Sequence, residues 1–335
     1  MITPSTSAVL APGAALLYPS VGVSRTLAYD TAPDVARPLL AVEGSGVVRS
    51  IWTTLESVWD LRTALPDGES ATPDVRIRVY ADSQGALDVS ALTPTIDLPI
   101  LLLAGCQWAR PEGWTWPYLD RGLRLAISPR GLEFAYPMPF SDGITITLET
   151  AACEGLDFNS GYPFSVGGSA FSWVQYELGN LPSGLLRRQR LKGALATGAS
   201  DADSQPFVLA SEDDGAGCVV GLFGAQRWTT GSGQNLMLER NWQIATPSGD
   251  VLWQTSGTED LFRSNGFYFE NGVQEGPDAG LFFALEDRGD VEYWRVFEPG
   301  RAPTWADGVS LQLQGSSNVQ EKFLGRFVTL YYQER

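Results

Sequence analysis

The stretch Ala135-Tyr136-Pro137-Met138-Pro139-Phe140-Ser141-Asp142-Gly143-Ile144-Thr145-Ile146-Thr147-Leu148 contains a turn and a strand in sequence. Proline and an aromatic pair set up a tight turn, and Asp-Gly supplies its closing residues. Ile144, Ile146 and Leu148 then alternate with threonines, the period of a half-buried strand. The same grammar returns near the C-terminus. Phe297-Glu298-Pro299 leads to Trp305-Ala306-Asp307-Gly308 and then to Val309-Ser310-Leu311-Gln312-Leu313. Val75 to Tyr80 and Val219 to Phe223 are further short strand-like runs. The 36 glycines and 21 prolines spread turn chemistry along the whole chain. The expectation is an all-β protein of sandwiches or barrels. The echo admits two readings. Either the chain holds two similar halves, with a junction between Gly155 and Ser204, or Asp-Gly before a strand is ordinary turn chemistry. Ser183 to Leu195 alone reads as a helix, with Gly198 beyond its end. Phe323 to Tyr332 reads as a last core strand or as a subunit contact.

The chain has 335 residues, a formal net charge of -16 and no histidine. Without histidine there is no Ser-His-Asp or Cys-His triad, no His-ligated zinc and no imidazole switch. Acid/base chemistry is left to Asp, Glu, Tyr, Lys or Cys. The acidic balance repels phosphate backbones and anionic headgroups, so neither nucleic acid nor membrane is expected as a partner. The short basic run Arg187, Arg188, Arg190 and Lys192 reads as a solvated face. Cys106, Cys153 and Cys218 have no metal-ligand spacing, and no metal or cofactor is expected. No basic and apolar leader opens the sequence. Its longest apolar run, Leu98 to Ala104, is too short to span a bilayer. The expected location is soluble and cytoplasmic, or within a virion.

Carboxylates without histidine point first to glycoside hydrolysis, which needs one carboxylic acid and one carboxylate nucleophile or base. The densest candidate region is Met237 to Asn271. Ser256-Gly257-Thr258-Glu259-Asp260-Leu261-Phe262 places two carboxylates after a glycine turn, and Leu238-Glu239-Arg240-Asn241-Trp242 supplies a third. Trp108, Trp114, Trp116 and Tyr118 form an aromatic cluster that reads either as a sugar-stacking loop or as a buried corner.

In order along the chain, these blocks resemble glycoside hydrolase family 172. Gly46 to Leu55 looks like its early Gly-Val-Ile-Arg to Ile-Trp segment, and Tyr136 to Phe140 like its Pro-Met-Pro-Phe turn. Gly257 to Phe262 is similar to its Gly-Thr-Glu-Asp-Tyr-Phe block, and Tyr293 to Pro299 to its late Tyr-Arg segment. The resemblance implies two tandem jelly-roll sandwiches, a double jelly-roll, assembled as a homotrimer or a multiple of it. The expected division is a first roll over 1–160, a connecting segment over 161–204 and a second roll over 205–335. It also implies a retaining reaction on furanosides. Glu259 would be the nucleophile and Glu239 the acid/base, with Asp260, Arg295, Trp242 and Trp114 binding the carbohydrate. The sequence departs from the family around Glu239, which lacks the flanking glycines, and at motif positions where relatives carry histidine. A second reading therefore stands beside the first: a virion structural protein that keeps the fold without the chemistry.

Overall fold

The computed structural model describes residues 10–11, 14–15, 20–28, 37–54, 74–103, 105, 125–128, 131–151, 169–179, 188–200, 206–228, 240–262, 278–285, 289–297, 301–314 and 323–334. After a small hairpin, β1 (Leu10–Ala11) and β2 (Ala14–Ala15), the strands fall into two sets. The first holds β3 (Ser20–Ala28), β4 (Arg37–Val42), β5 (Gly46–Thr54), β6 (Asp74–Ala81) and β7 (Ile96–Pro99). A four-residue helix α1 (Ile100–Leu103) follows, then β8 (Leu125–Ser128), β9 (Gly131–Phe134), β10 (Met138–Phe140), β11 (Ile144–Ala151) and β12 (Ser169–Leu178). The second set opens with β13 (Gln189–Ser200), β14 (Phe207–Glu212), β15 (Gly217–Trp228), β16 (Trp242–Ala245) and β17 (Val251–Gln254). It continues with the helix α2 (Thr258–Phe262), β18 (Ala279–Leu285), β19 (Asp290–Val296), β20 (Thr304–Trp305), β21 (Val309–Leu313) and β22 (Phe323–Glu334).

Strand order identifies the fold. In the first set one sheet runs β3-β12-β5-β9-β8, and the facing strands run β4-β11-β6-β7. In the second set the orders are β13-β22-β15-β19-β18 and β14-β21-β16-β17. With the eight principal strands of each set lettered B to I, both give B-I-D-G opposite C-H-E-F, the two Greek keys of a jelly roll. The protein is a double jelly-roll. Strand F of roll one, β7, meets strand B of roll two, β13, in parallel at Ile96 and Gly193, which fuses four strands of one roll and five of the other into one continuous sheet.

The repeated Asp-Gly is a structural repeat. Gly143 and Gly308 immediately precede strand H of their rolls, with φ of 76° and 63°. Each donates its N–H to the C–D turn of its own roll, to the carbonyls of Gly44 and Gly215. A Cβ at Gly143 would stand 2.4 Å from the Gly85 nitrogen, and one at Gly308 2.8 Å from the Asp213 carbonyl oxygen. Left-handed backbone and close approach together select glycine at both positions.

Of the helix expected over Ser183–Leu195, Arg188 is helical but residues 189–200 are strand β13. Arg190 and Lys192, expected on a solvated face, are each paired to a carboxylate. Arg190 is buried and grips Asp82 through Nε (2.7 Å) and Nη2 (3.1 Å), while Lys192 reaches Glu212 at 2.8 Å. Asp82 also accepts the N–H groups of Ser141 and Asp142. Its carboxylate thus ties the E–F and G–H turns of roll one to the first strand of roll two. β12 and β13 both lie inside the stretch 161–204.

Among the described residues there are two apolar clusters. One lies inside roll two, with Leu222, Trp242, Phe262, Tyr293, Phe327 and Tyr331 among its members. The other fills roll one and continues onto the outer face of roll two's B-I-D-G strands, through Phe223, Trp294, Val328 and Leu330. β22 is buried along nearly its whole length because it has an apolar partner on each face. The C-terminal run Phe323–Tyr332 is therefore a core strand. No helix of the described residues is long and apolar enough to cross a membrane.

Gly143→Ala and Gly308→Ala should each lower the unfolding free energy by about 1–3 kcal/mol in urea titrations. Gly44→Ala and Gly249→Ala, left-handed but with open space around the added methyl, should cost less.

Candidate functional site

Of the residues expected to bind a sugar, Trp242, Asp260 and Arg295 are described, and they gather around α2. Trp242, in β16, is 2% exposed. Its ring meets Phe262 edge-on at 5.3 Å and Phe327 at 5.8 Å, and its Nε1 donates to Thr258 Oγ1 at 3.2 Å. Thr258 in turn donates to the carbonyl of Arg240 at 3.0 Å. Thr258–Phe262 is thus a short helix plugged into roll two by Leu261 and Phe262, the latter packed at a tilt against Tyr293 with ring centroids 4.2 Å apart. Asp260 is exposed and accepts a hydrogen bond from the Ser256 hydroxyl. Arg295 donates to the carbonyl of Leu261, lies over the Phe297 ring at 5.1 Å and is 3.9 Å from Asp278. Trp242 and Arg295 hold α2 in place. Glu239 and Trp114, with the rest of the Trp108–Tyr118 cluster, lie outside the described residues, as does the Glu259 side chain.

The cavity beside Trp242 offers no room for a sugar. It is about 10 Å³, lined by Leu209, Val219, Leu222, Ile244, Trp253 and Leu311 among others, space for no more than a water.

The strongest polar constellation lies in roll one, on the side of the C-H-E-F strands away from the apolar cluster. Asp97 Oδ2 accepts from Arg76 Nη1 and Arg78 Nε, both at 3.1 Å. Arg78 Nη1 continues to Glu149 Oε2 at 2.5 Å, and Glu149 Oε1 accepts from Thr147 at 2.5 Å. Burial alone would pull the Arg78 guanidinium down, but Asp97 and Glu149 outweigh it and hold its pKa above the ordinary value. Tyr80 beside them is pushed up, by burial first and by Glu149 second. A second pair, Arg227 and Asp290, is bidentate at 2.5 and 2.9 Å. Each of these carboxylates is held by a guanidinium, whereas two-carboxylate catalysis needs one carboxyl kept protonated and another left open to attack. Sequence reading missed these networks because Arg76, Asp97 and Glu149 come from three strands. The alternation of Arg76, Arg78 and Tyr80 along β6 was the one signal available.

No family model matches the chain, and no curated protein matches it. Among solved structures it is similar to the major capsid protein P2 from bacteriophage PM2, with 8% identity, TM-score 0.43, and coverage of 94% of this chain and 98% of that one. It is also similar to the STIV MCP (12% identity, TM-score 0.39, 92% and 96% coverage). A chain from the structure of Sulfolobus Turreted Icosahedral Virus matches with 12% identity, TM-score 0.42 and coverage of 92% and 90%. The expectation of a retaining furanosidase is corrected. Trp242, assigned to bind carbohydrate, is a core residue, and the cavity beside it holds no more than a water. Trp242→Ala should cost about 3–5 kcal/mol of stability, as expected for a core aromatic. Asp260→Ala, at an exposed site, should cost no more than about 0.5 kcal/mol. The wild-type chain should release no nitrophenol from a nitrophenyl arabinofuranoside above the buffer rate.

Proposed function

We propose that this protein is a structural subunit of a virus particle, a capsid-building protein that assembles with copies of itself as a trimer. The observation that carries this reading is the fusion of two jelly rolls into one block by a continuous sheet and a shared apolar core. Jelly rolls serve as viral capsid and lectin domains. A lectin role calls for an open, ring-lined subsite, whereas Trp242, the one described aromatic residue assigned to bind sugar here, is buried. A rigid block with short turns at one end of each roll suits a tile that keeps its shape while it packs. The ties that support this are the Asp82–Arg190 link, the two Asp-Gly turns and the ionic network of roll one.

The charge fits the same role. At -16 the chain disfavours contact with a polyanionic genome, so its contacts in a particle are with other protein surfaces. Sedimentation velocity on the purified chain at micromolar concentration should show a trimer that persists through moderate dilution. A species that stays monomeric across that range would remove the reading.

A further inference from the structure

The two rolls correspond position by position through their pairing registers. In roll one, strand I pairs with strand D with Leu178 opposite Gly46, Tyr176 opposite Val48 and Gln175 opposite Ser50, leaving Arg49 as an extra residue. In roll two, Gln333 lies opposite Gly217, Tyr331 opposite Val219 and Leu330 opposite Gly221, leaving Val220 as the extra residue. The bulge falls at the same place in both. Continuing along these ladders, Trp52 takes the position of Phe223 and Trp173 that of Val328. On the neighbouring strands, Glu133 matches Trp294 and Gly22 matches Gly193.

The matched residues differ in one respect. Phe223 and Val328 are each 0% exposed, because roll one covers them with Ile100, Leu102 and Tyr136. Trp52 and Trp173, directly opposite each other on β5 and β12, are each 36% exposed. Two tryptophans side by side on an open sheet face form an apolar patch of the kind that marks a contact surface.

The sheet edges show the same asymmetry. Within the chain, strand F of roll one joins strand B of roll two, and a Cβ on Gly193 would stand 2.9 Å from Ile96 Cγ2. The glycine is what lets the two edges close. Strand B of roll one, β3, ends its own sheet and carries Gly22 at the matching position. Strand F of roll two, β17, ends the other sheet with Val251 and Leu252 50% and 48% exposed. An open, apolar edge strand is a ready partner for another chain.

We propose that a second copy of this chain occupies this face. The β17 edge of one copy meets the β3 edge of the next beside Gly22, and the flank of its second roll covers Trp52 and Trp173. The contact between copies repeats the roll-to-roll contact inside each chain. It is head-to-tail, so every copy offers one β17 edge and one tryptophan face, and such a contact closes into a ring when its rotation allows. This rests on the reading of the protein as a self-assembling subunit.

The test uses the full chain, with Trp173→Asp, Leu252→Asp and Gly22→Val, and Val208→Asp on the far edge of the second roll's own sheet as control. Sedimentation velocity should give a trimer for the wild type and the control, and monomers for the other three with unchanged far-UV spectra and melting temperatures. Mixing Trp173→Asp with Leu252→Asp should give a one-to-one dimer, since one intact contact remains between them. Hydroxyl-radical footprinting of the unmodified chain reads the face without substitution: Trp52 and Trp173 should be protected in the trimer and oxidised after dissociation. Trimers in all three variants, or equal oxidation in both states, would overturn this interface while leaving the subunit reading intact. A wild-type chain that is only monomeric would instead overturn the subunit reading.

Discussion

Strand β22 is where the two halves of this molecule depend on each other. Its side chains point alternately into two apolar clusters: Phe323, Phe327 and Tyr331 into roll two, Val328 and Leu330 toward roll one. A strand covered on both faces reads as a near-continuous hydrophobic run, as Phe323–Tyr332 does. Polar contacts fix the register of the same junction. Tyr136 of roll one donates to the carbonyl of Val220 in roll two (3.2 Å), and Tyr332 of roll two donates to that of Pro137 in roll one (2.8 Å). Apolar burial supplies the larger share of the free energy, but it is non-directional. The reciprocal tyrosine bonds and the Asp82–Arg190 pair set the angle at which the rolls meet.

The rolls repeat the same construction and diverge where their surroundings differ. Gly46 and Gly217 start strand D in each, and at both a Cβ would collide with an aromatic ring of the short strand alongside, Phe140 or Trp305. Interior positions are apolar at Val48 and Val219, but the buried, hydrogen-bonded Thr53 and Ser172 of roll one stand where roll two has Gly224 and Phe327. The outer face of strands D and I differs too. Roll two has Val220 and Tyr332 where roll one has Arg49 and Glu177, bonded to each other at 2.9 and 3.1 Å. Glu177 is itself buried, so the Arg49 guanidinium compensates an enclosed carboxylate there, whereas roll two fills the matching positions with Val220 and Tyr332.

Much of this was legible in the sequence because its cause is local. The Asp-Gly turns at Gly143 and Gly308, the alternation of Ile144, Ile146 and Leu148, and the apolar run of β22 each follow from chain geometry within a few residues. The double jelly-roll was legible too, through ordered blocks that owe their character to turns and core positions. What could not be read was anything decided across strands. Gln189–Leu195 looks helical because Arg, Leu, Lys and Ala favour helices. It becomes a strand because Arg190 finds Asp82 and because a full-length partner, β22, lies alongside. The Thr-Glu-Asp block looked catalytic for a similar reason. Its residue types suit a sugar site, and only the fold shows that Thr258 bonds to Trp242 and Arg240 and that Trp242 is enclosed.

The placement of charge follows from the same enclosure. The chain has 23 basic and 39 acidic side chains, and Arg76, Arg190, Arg240 and Arg326 are all buried. Four acidic side chains, Glu149, Glu177, Asp290 and Glu292, are buried as well, so among the described residues the enclosed charges balance and the net charge of -16 stays with the outer surface. Copies of such a molecule repel one another at long range, and salt weakens that repulsion over a Debye length of about 8 Å at physiological strength. Attraction between copies must then come from short-range apolar contact. An acidic, repulsive surface with a few apolar edges admits association only where those edges meet, which makes association selective.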